Sequence, residues 1–106
     1  MFARKVSMHL KPNSSAEFTR RFEKDIIPLL RKQKGFQDEI TFVATGGREA
    51  LGISLWDRLE NAEAYNRSTY PEVVKILDRV VEGTPRVESC EVSNSTFHDI
   101  AAATTV

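Results

Sequence analysis

A chain of 106 residues is the size of one domain, enough to bury a single modest core without covalent staples. Lys plus Arg and Asp plus Glu each total 15. The zero net charge removes the basic excess that a nucleic-acid binder or a polybasic membrane contact needs. Cys90 is the only cysteine, so no intrachain disulfide can form and a cytoplasmic protein is the default.

Residues 2–10 alternate, with Phe2, Val6, Met8 and Leu10 on one face and Ala3, Lys5, Ser7 and His9 on the other, which predicts a half-buried strand. The same stretch is too interrupted by charge to be a secretory leader, and no run is long enough to cross a bilayer. Pro12 ends the strand, and Ser14 with Glu17 has the spacing of a capping box. Phe18, Phe22, Ile26, Leu29 and Leu30 then recur at helical spacing, with a kink or broken turn expected at Pro28 and a stop at Gly35.

A second strand is expected over residues 36–45, opened by Phe36, Ile40 and Phe42. Gly46-Gly47 marks a hairpin, because glycine accepts the positive φ of tight turns. The return strand covers Glu49 to Trp56, with Leu51, Ile53 and Leu55 on one face and Gly52, Ser54 and Trp56 on the other. A second helical region follows, divided by Pro71, with Thr69 and Glu72 spaced as another capping box. Val73, Val74, Leu77, Val80 and Val81 form its buried face, Gly83-Thr84-Pro85 ends it, and a last strand runs from about Arg86 to Phe97. Residues 1–98 thus read as a single domain and 99–106 as a frayed tail.

The order strand, helix, strand, strand, helix, strand implies an α+β, ferredoxin-like βαββαβ fold. Its four-stranded antiparallel sheet carries the helices on one face. The uncovered face would expose an apolar row, so a homodimer is expected.

Three local pieces, Lys34-Gly35-Phe36, Leu55-Trp56-Asp57 and Glu63-Ala64-Tyr65, together with the element order over roughly residues 2–97, resemble the antibiotic-biosynthesis monooxygenase (ABM) domain family. The resemblance implies a dimeric α/β barrel, in which two sheets pack face to face, with a pocket in each subunit between helices and sheet. It implies either a cofactor-independent monooxygenase acting on a flat aromatic or quinone-like molecule, or a haem-degrading enzyme. Haem degradation is disfavoured. That branch resembles this chain in length but uses an asparagine in the first strand, absent from residues 2–10, and a helical tryptophan and histidine where this chain has Tyr65 and Lys75. The aromatic-substrate oxygenases use a tryptophan, an asparagine and tyrosines. Here Trp56, Tyr65 and Tyr70 match in type, while Gly52 and Ser54 stand in the strand where an asparagine is expected.

Trp56 can stack on a flat substrate and donate its indole N–H, or simply close a strand-to-helix corner. Tyr65 and Tyr70 are the natural walls of a pocket beside it. His9 is the better-placed of the two histidines to act as a base, against a plain reading as a solvated or dimer-edge residue. His98 reads as tail. His9, His98 and Cys90 have no ligand spacing, so neither a metal nor another cofactor is expected. The rival functional reading is a non-catalytic, small-ligand-binding or stress-associated homodimer.

Overall fold

The structure, a computed structural model, describes residues 1–97; His98 and the expected tail lie outside the described residues. Four strands, β1 (Phe2–Leu10), β2 (Phe36–Val43), β3 (Glu49–Trp56) and β4 (Val81–Glu91), form one antiparallel sheet in the order β2-β3-β1-β4. The connections carry α1 (Ser15–Arg21), a π-helical turn (Phe22–Ile26), α2 (Ile27–Arg31), α3 (Leu59–Ser68) and α4 (Tyr70–Leu77). This is the ferredoxin-like arrangement that the element order implies. No helix among the described residues is long and apolar enough to cross a membrane.

The core lies between the helices and one sheet face. Phe18, Ile26 and Leu30 descend from the first helical stretch, and Tyr65, Val73 and Leu77 from the second. From below they meet Met8, Leu10, Ala50 and Trp56. Trp56 is completely buried on this face, whereas Leu51, Ile53 and Leu55, one pleat out of phase, are half-buried on the other.

Several local expectations change. The irregularity expected at Pro28 falls in the turn before it, where Ile27 N–H bonds back to Phe22 O in place of the regular α partner. A proline ring clashes with the carbonyl four residues earlier, and widening the preceding turn moves that carbonyl aside. Neither capping box forms. Ser14 Oγ lies 3.4 Å from Pro12 O, and the Glu17 carboxylate is held by Arg20 and Arg21 instead. Thr69 likewise makes no side-chain cap.

The last helix stops at Leu77, so Val80 and Val81 are buried from the turn and the start of β4. Gly83-Thr84-Pro85 belongs to β4, which ends at Glu91 rather than near Phe97. Those three residues survive in a strand because β4 is an edge, with an irregular register against β1 between Ser7 and His9.

In β2, a register shift between Phe36 and Asp38 separates residues that simple alternation would place together. Phe36 turns inward against Trp56 (ring centroids 5.6 Å apart), while Ile40 and Phe42 face outward and are about half exposed. Glu39, Thr41 and Val43 therefore line the helix side of the sheet, together in one cleft with Phe22.

Candidate functional site

Among the described residues, two polar side chains are buried outright: Arg4 at 4% exposure and Ser54 at 7%. They are neighbours across the β1–β3 pair and both line one pocket between sheet and helices. Burying a charge is costly unless it is compensated, so Arg4 requires an explanation. Its Nη2 donates to Asn66 Oδ1 at 2.7 Å, and its guanidinium lies 5.0 Å from the Tyr65 ring centroid and 4.5 Å from that of Tyr70. No described carboxylate pairs with it. Two aromatic faces and one amide thus stabilise a cation that has no counter-ion within contact distance.

Desolvation pulls the Arg4 guanidinium below its ordinary pKa, opposed by the two phenols, yet arginine stays protonated across physiological pH. Burial pushes the Tyr65 phenol up to about 12, with Arg4 working in the other direction. Tyr70 is raised for the same reason. Both phenols are therefore neutral donors at neutral pH. Tyr70 Oη is buried with no hydrogen-bond partner among the described residues, a spare donor beside the pocket.

Apart from Glu39 on β2, the rest of the pocket is apolar, with Val6, Met8, Phe22, Ile26, Val73 and Leu77 in its walls and Gly52 leaving part of its sheet floor bare. Its free space is about 30 Å³, room for water and not for a fused ring. Two wider clefts abut it. One, about 190 Å³, runs between the π-helical turn and β2 and shares Phe22 and Glu39 with the pocket. The other, about 290 Å³, shares Arg4 and is bounded by α3 and β4.

The four residues singled out in the sequence do not converge. Tyr65 and Tyr70 stand together, ring centroids 6.2 Å apart, as walls of the pocket. Trp56 lies behind Tyr65 (centroids 5.1 Å apart), and its indole N–H is already used, donating to Ser54 Oγ at 2.9 Å. It supports the pocket without facing it. His9 is on the opposite sheet face, exposed, with Nδ1 3.7 Å from the Glu49 carboxylate on β3. The acid partner that His9 lacks in local sequence is supplied across the strands. Among the described residues, no group of three or more His, Cys, Asp or Glu side chains is placed to hold a metal ion.

Arg4 and Glu39 are the residues that sequence reasoning overlooked. Arg4 was legible: alternation from Phe2 through Val6, Met8 and Leu10 puts position 4 inward, and a lone charge in an inward phase is the signal. Glu39 was not, because the β2 register shift sets its phase.

The three motif pieces meet in space. Asp57 N–H donates to Gly35 O at 2.9 Å, Phe36 pairs with Trp56, and Trp56 packs on Tyr65. A monooxygenase from the gene ActVA-Orf6 of Streptomyces coelicolor, in complex with Nanaomycin D, superposes with a TM-score of 0.75 at 13% identity, over 89% of this chain and 88% of that one. This chain has the fold of the antibiotic-biosynthesis monooxygenases. SnoaB, a cofactor-independent oxygenase from Streptomyces nogalater, gives a TM-score of 0.74 at 11% identity, covering 90% and 95%. A conserved protein from Methanosarcina mazei Go1 gives 0.70 at 17%, covering 86% and 92%. No protein-family profile matches the chain. No curated protein matches it either. At these identities the ABM likeness is one of fold.

Proposed function

We propose that this chain is a cofactor-independent, monooxygenase-like cytoplasmic homodimer. It binds a small flat aromatic or quinone-like molecule in the pocket between helices and sheet. The observation that carries the reading is the Arg4–Tyr65–Tyr70 cluster: a buried cation without a counter-ion and an unpaired phenol at one end of an apolar space. Such a pole suits the phenolate or enolate oxygen of a conjugated ring, and it holds that charge where water is scarce. Arg4 and Tyr70 would grip the oxygen, Tyr65 would wall the ring, and Trp56 would hold Tyr65 in place.

For an anthrone-like substrate the balanced reaction is a methylene plus dioxygen giving a carbonyl plus water. One oxygen atom enters the product, and the electron-rich anion itself reduces oxygen. Opening is required first. The 190 Å³ cleft is the natural mouth, since it shares Phe22 and Glu39 with the pocket.

Dimerisation is supported by the outer sheet face, where Ile40, Phe42, Ile53 and Leu55 form an apolar patch with Val92 and Phe97. The test is labelled dioxygen with a panel of anthrones and hydroquinones, read by mass spectrometry. Label in the product, lost in Arg4→Met, supports the reading. Absence of label across the panel would sink the oxygenase part.

A second reading, a non-catalytic ligand-binding homodimer, is favoured by the small free volume. Binding of the same compounds without turnover would establish it.

A further inference from the structure

Arg4, Ser54 and Glu39 form a single row across three adjacent strands. Arg4 pairs with Ser54 in the β1–β3 register, and Ser54 pairs with Glu39 in the β3–β2 register. All three line the same pocket. With strands about 4.8 Å apart, the Arg4 and Glu39 backbones are separated by roughly 10 Å, the length of a bicyclic or tricyclic ring system. The pocket therefore has a cationic pole and a carboxylate pole at opposite ends of this row, with Ser54 between them.

We infer that Glu39 takes the proton from the bound substrate while Arg4 holds the resulting oxyanion, an assignment that rests on the oxygenase reading above.

Glu39 is set up for this role by its surroundings. Thr41 Oγ1 donates to Oε2, and no described residue bonds Oε1. The carboxylate lies over Gly52, where a Cβ would stand 3.6 Å from Oε2, so the glycine leaves that space open. No described cation pairs with it. Burial raises its pKa, opposed by the Thr41 bond.

Glu39 also lines both the pocket and the neighbouring cleft, so a proton it takes in the pocket has a route to solvent. The ionisable groups facing these spaces are Arg4 on β1, Tyr65 on α3 and Tyr70 on α4 in the pocket, and Glu23 on the π-helical turn in the cleft. Only Glu23 is another carboxylate, and it is exposed at the rim. His9 is across the sheet and out of reach.

In the step, a C–H bond of the substrate methylene breaks and its electron pair passes into the conjugated ring. The charge settles on the oxygen beside Arg4, and the proton joins the Glu39 carboxylate.

Dithranol, a hydroxylated anthrone, is the probe. Under anaerobic conditions in deuterated buffer, the wild type should speed exchange at its methylene, and in air it should insert labelled oxygen. Glu39→Gln should reduce both rates by about 100-fold or more while still quenching Trp56 fluorescence with near wild-type affinity. Thr41→Val should shift the acid limb of the rate profile to higher pH, because it removes a bond that lowers the Glu39 pKa. If Glu39→Gln does not fold, the Thr41→Val profile decides. Wild-type oxygenation that Glu39→Gln or Thr41→Val leaves unchanged overturns the Glu39 assignment alone. A wild type that speeds neither exchange nor oxygenation overturns the oxygenase reading and this assignment with it.

Discussion

Gly35→Ala tests whether the knot joining the three motif pieces is structural. Gly35 has φ of +81°, a left-handed conformation that costs an L-residue about 1–2 kcal/mol. An added Cβ would lie 2.2 Å from Asp57 Oδ1, 2.4 Å from Asn61 Nδ2 and 2.8 Å from Asn61 Cβ. Relief requires breaking the exposed 2.8 Å Asn61–Asp57 hydrogen bond and shifting the start of α3. With that rearrangement added to the backbone strain, the loss of stability is roughly 2–3 kcal/mol, corresponding to a Tm drop of roughly 8–12 °C for a domain of this size.

Thermal and urea unfolding would read it, with the near-ultraviolet signal of Trp56 reporting the neighbouring core. Gly46→Ala is the control, since that glycine has no positive φ and nothing within 4 Å of the added carbon. It should change stability by less than about 0.5 kcal/mol. A Gly35→Ala protein melting within about 2 °C of the wild type would refute the steric account.

Tyr70→Phe removes a buried hydroxyl that no described residue satisfies. It should raise the stability of the unliganded protein by about 1 kcal/mol while weakening binding of phenolic ligands; a loss of stability would show that the hydroxyl is already used. Phe42→Asp places a charge in the outer apolar patch and should convert the proposed dimer to a folded monomer by analytical ultracentrifugation. An unchanged dimer would move the interface elsewhere. Tyr65, raised to about 12 from an ordinary value of 10.0, contributes stability that is fully present below pH 10 and is lost as pH climbs towards 12. Urea unfolding followed alongside tyrosinate absorbance should show both changes in that window, and full tyrosinate absorbance by pH 10 would contradict it.

Much of the fold was legible because its signals are local. Alternation in β1 and β3, the glycine hairpin and the Pro71 break each depend on a few neighbouring residues, and each stands in the structure. Features depending on distant partners were not legible. The β2 register shift follows from Phe36 packing on Trp56, and it reverses the faces of Ile40 and Glu39. Glu17 and Ser14 have capping spacing, but Arg20 and Arg21 compete for the same carboxylate. At the candidate site, the spacing of Tyr65 and Tyr70 from Trp56 is visible in the sequence. That Ser54 accepts the Trp56 N–H, and that His9 lies on the sheet face away from the helices, depends on packing that local sequence does not carry.

The π-helical turn couples chain length to one particular residue. Its extra residue and Pro28 are a matched pair: shortening the turn returns the proline ring to a clash with the carbonyl four positions earlier. In a chain lacking the extra residue, a proline at this position would meet that carbonyl. Phe22, which this turn carries, lines both the pocket and the neighbouring cleft. A one-residue deletion in this helix would therefore act on both spaces at once, with every lining residue unchanged.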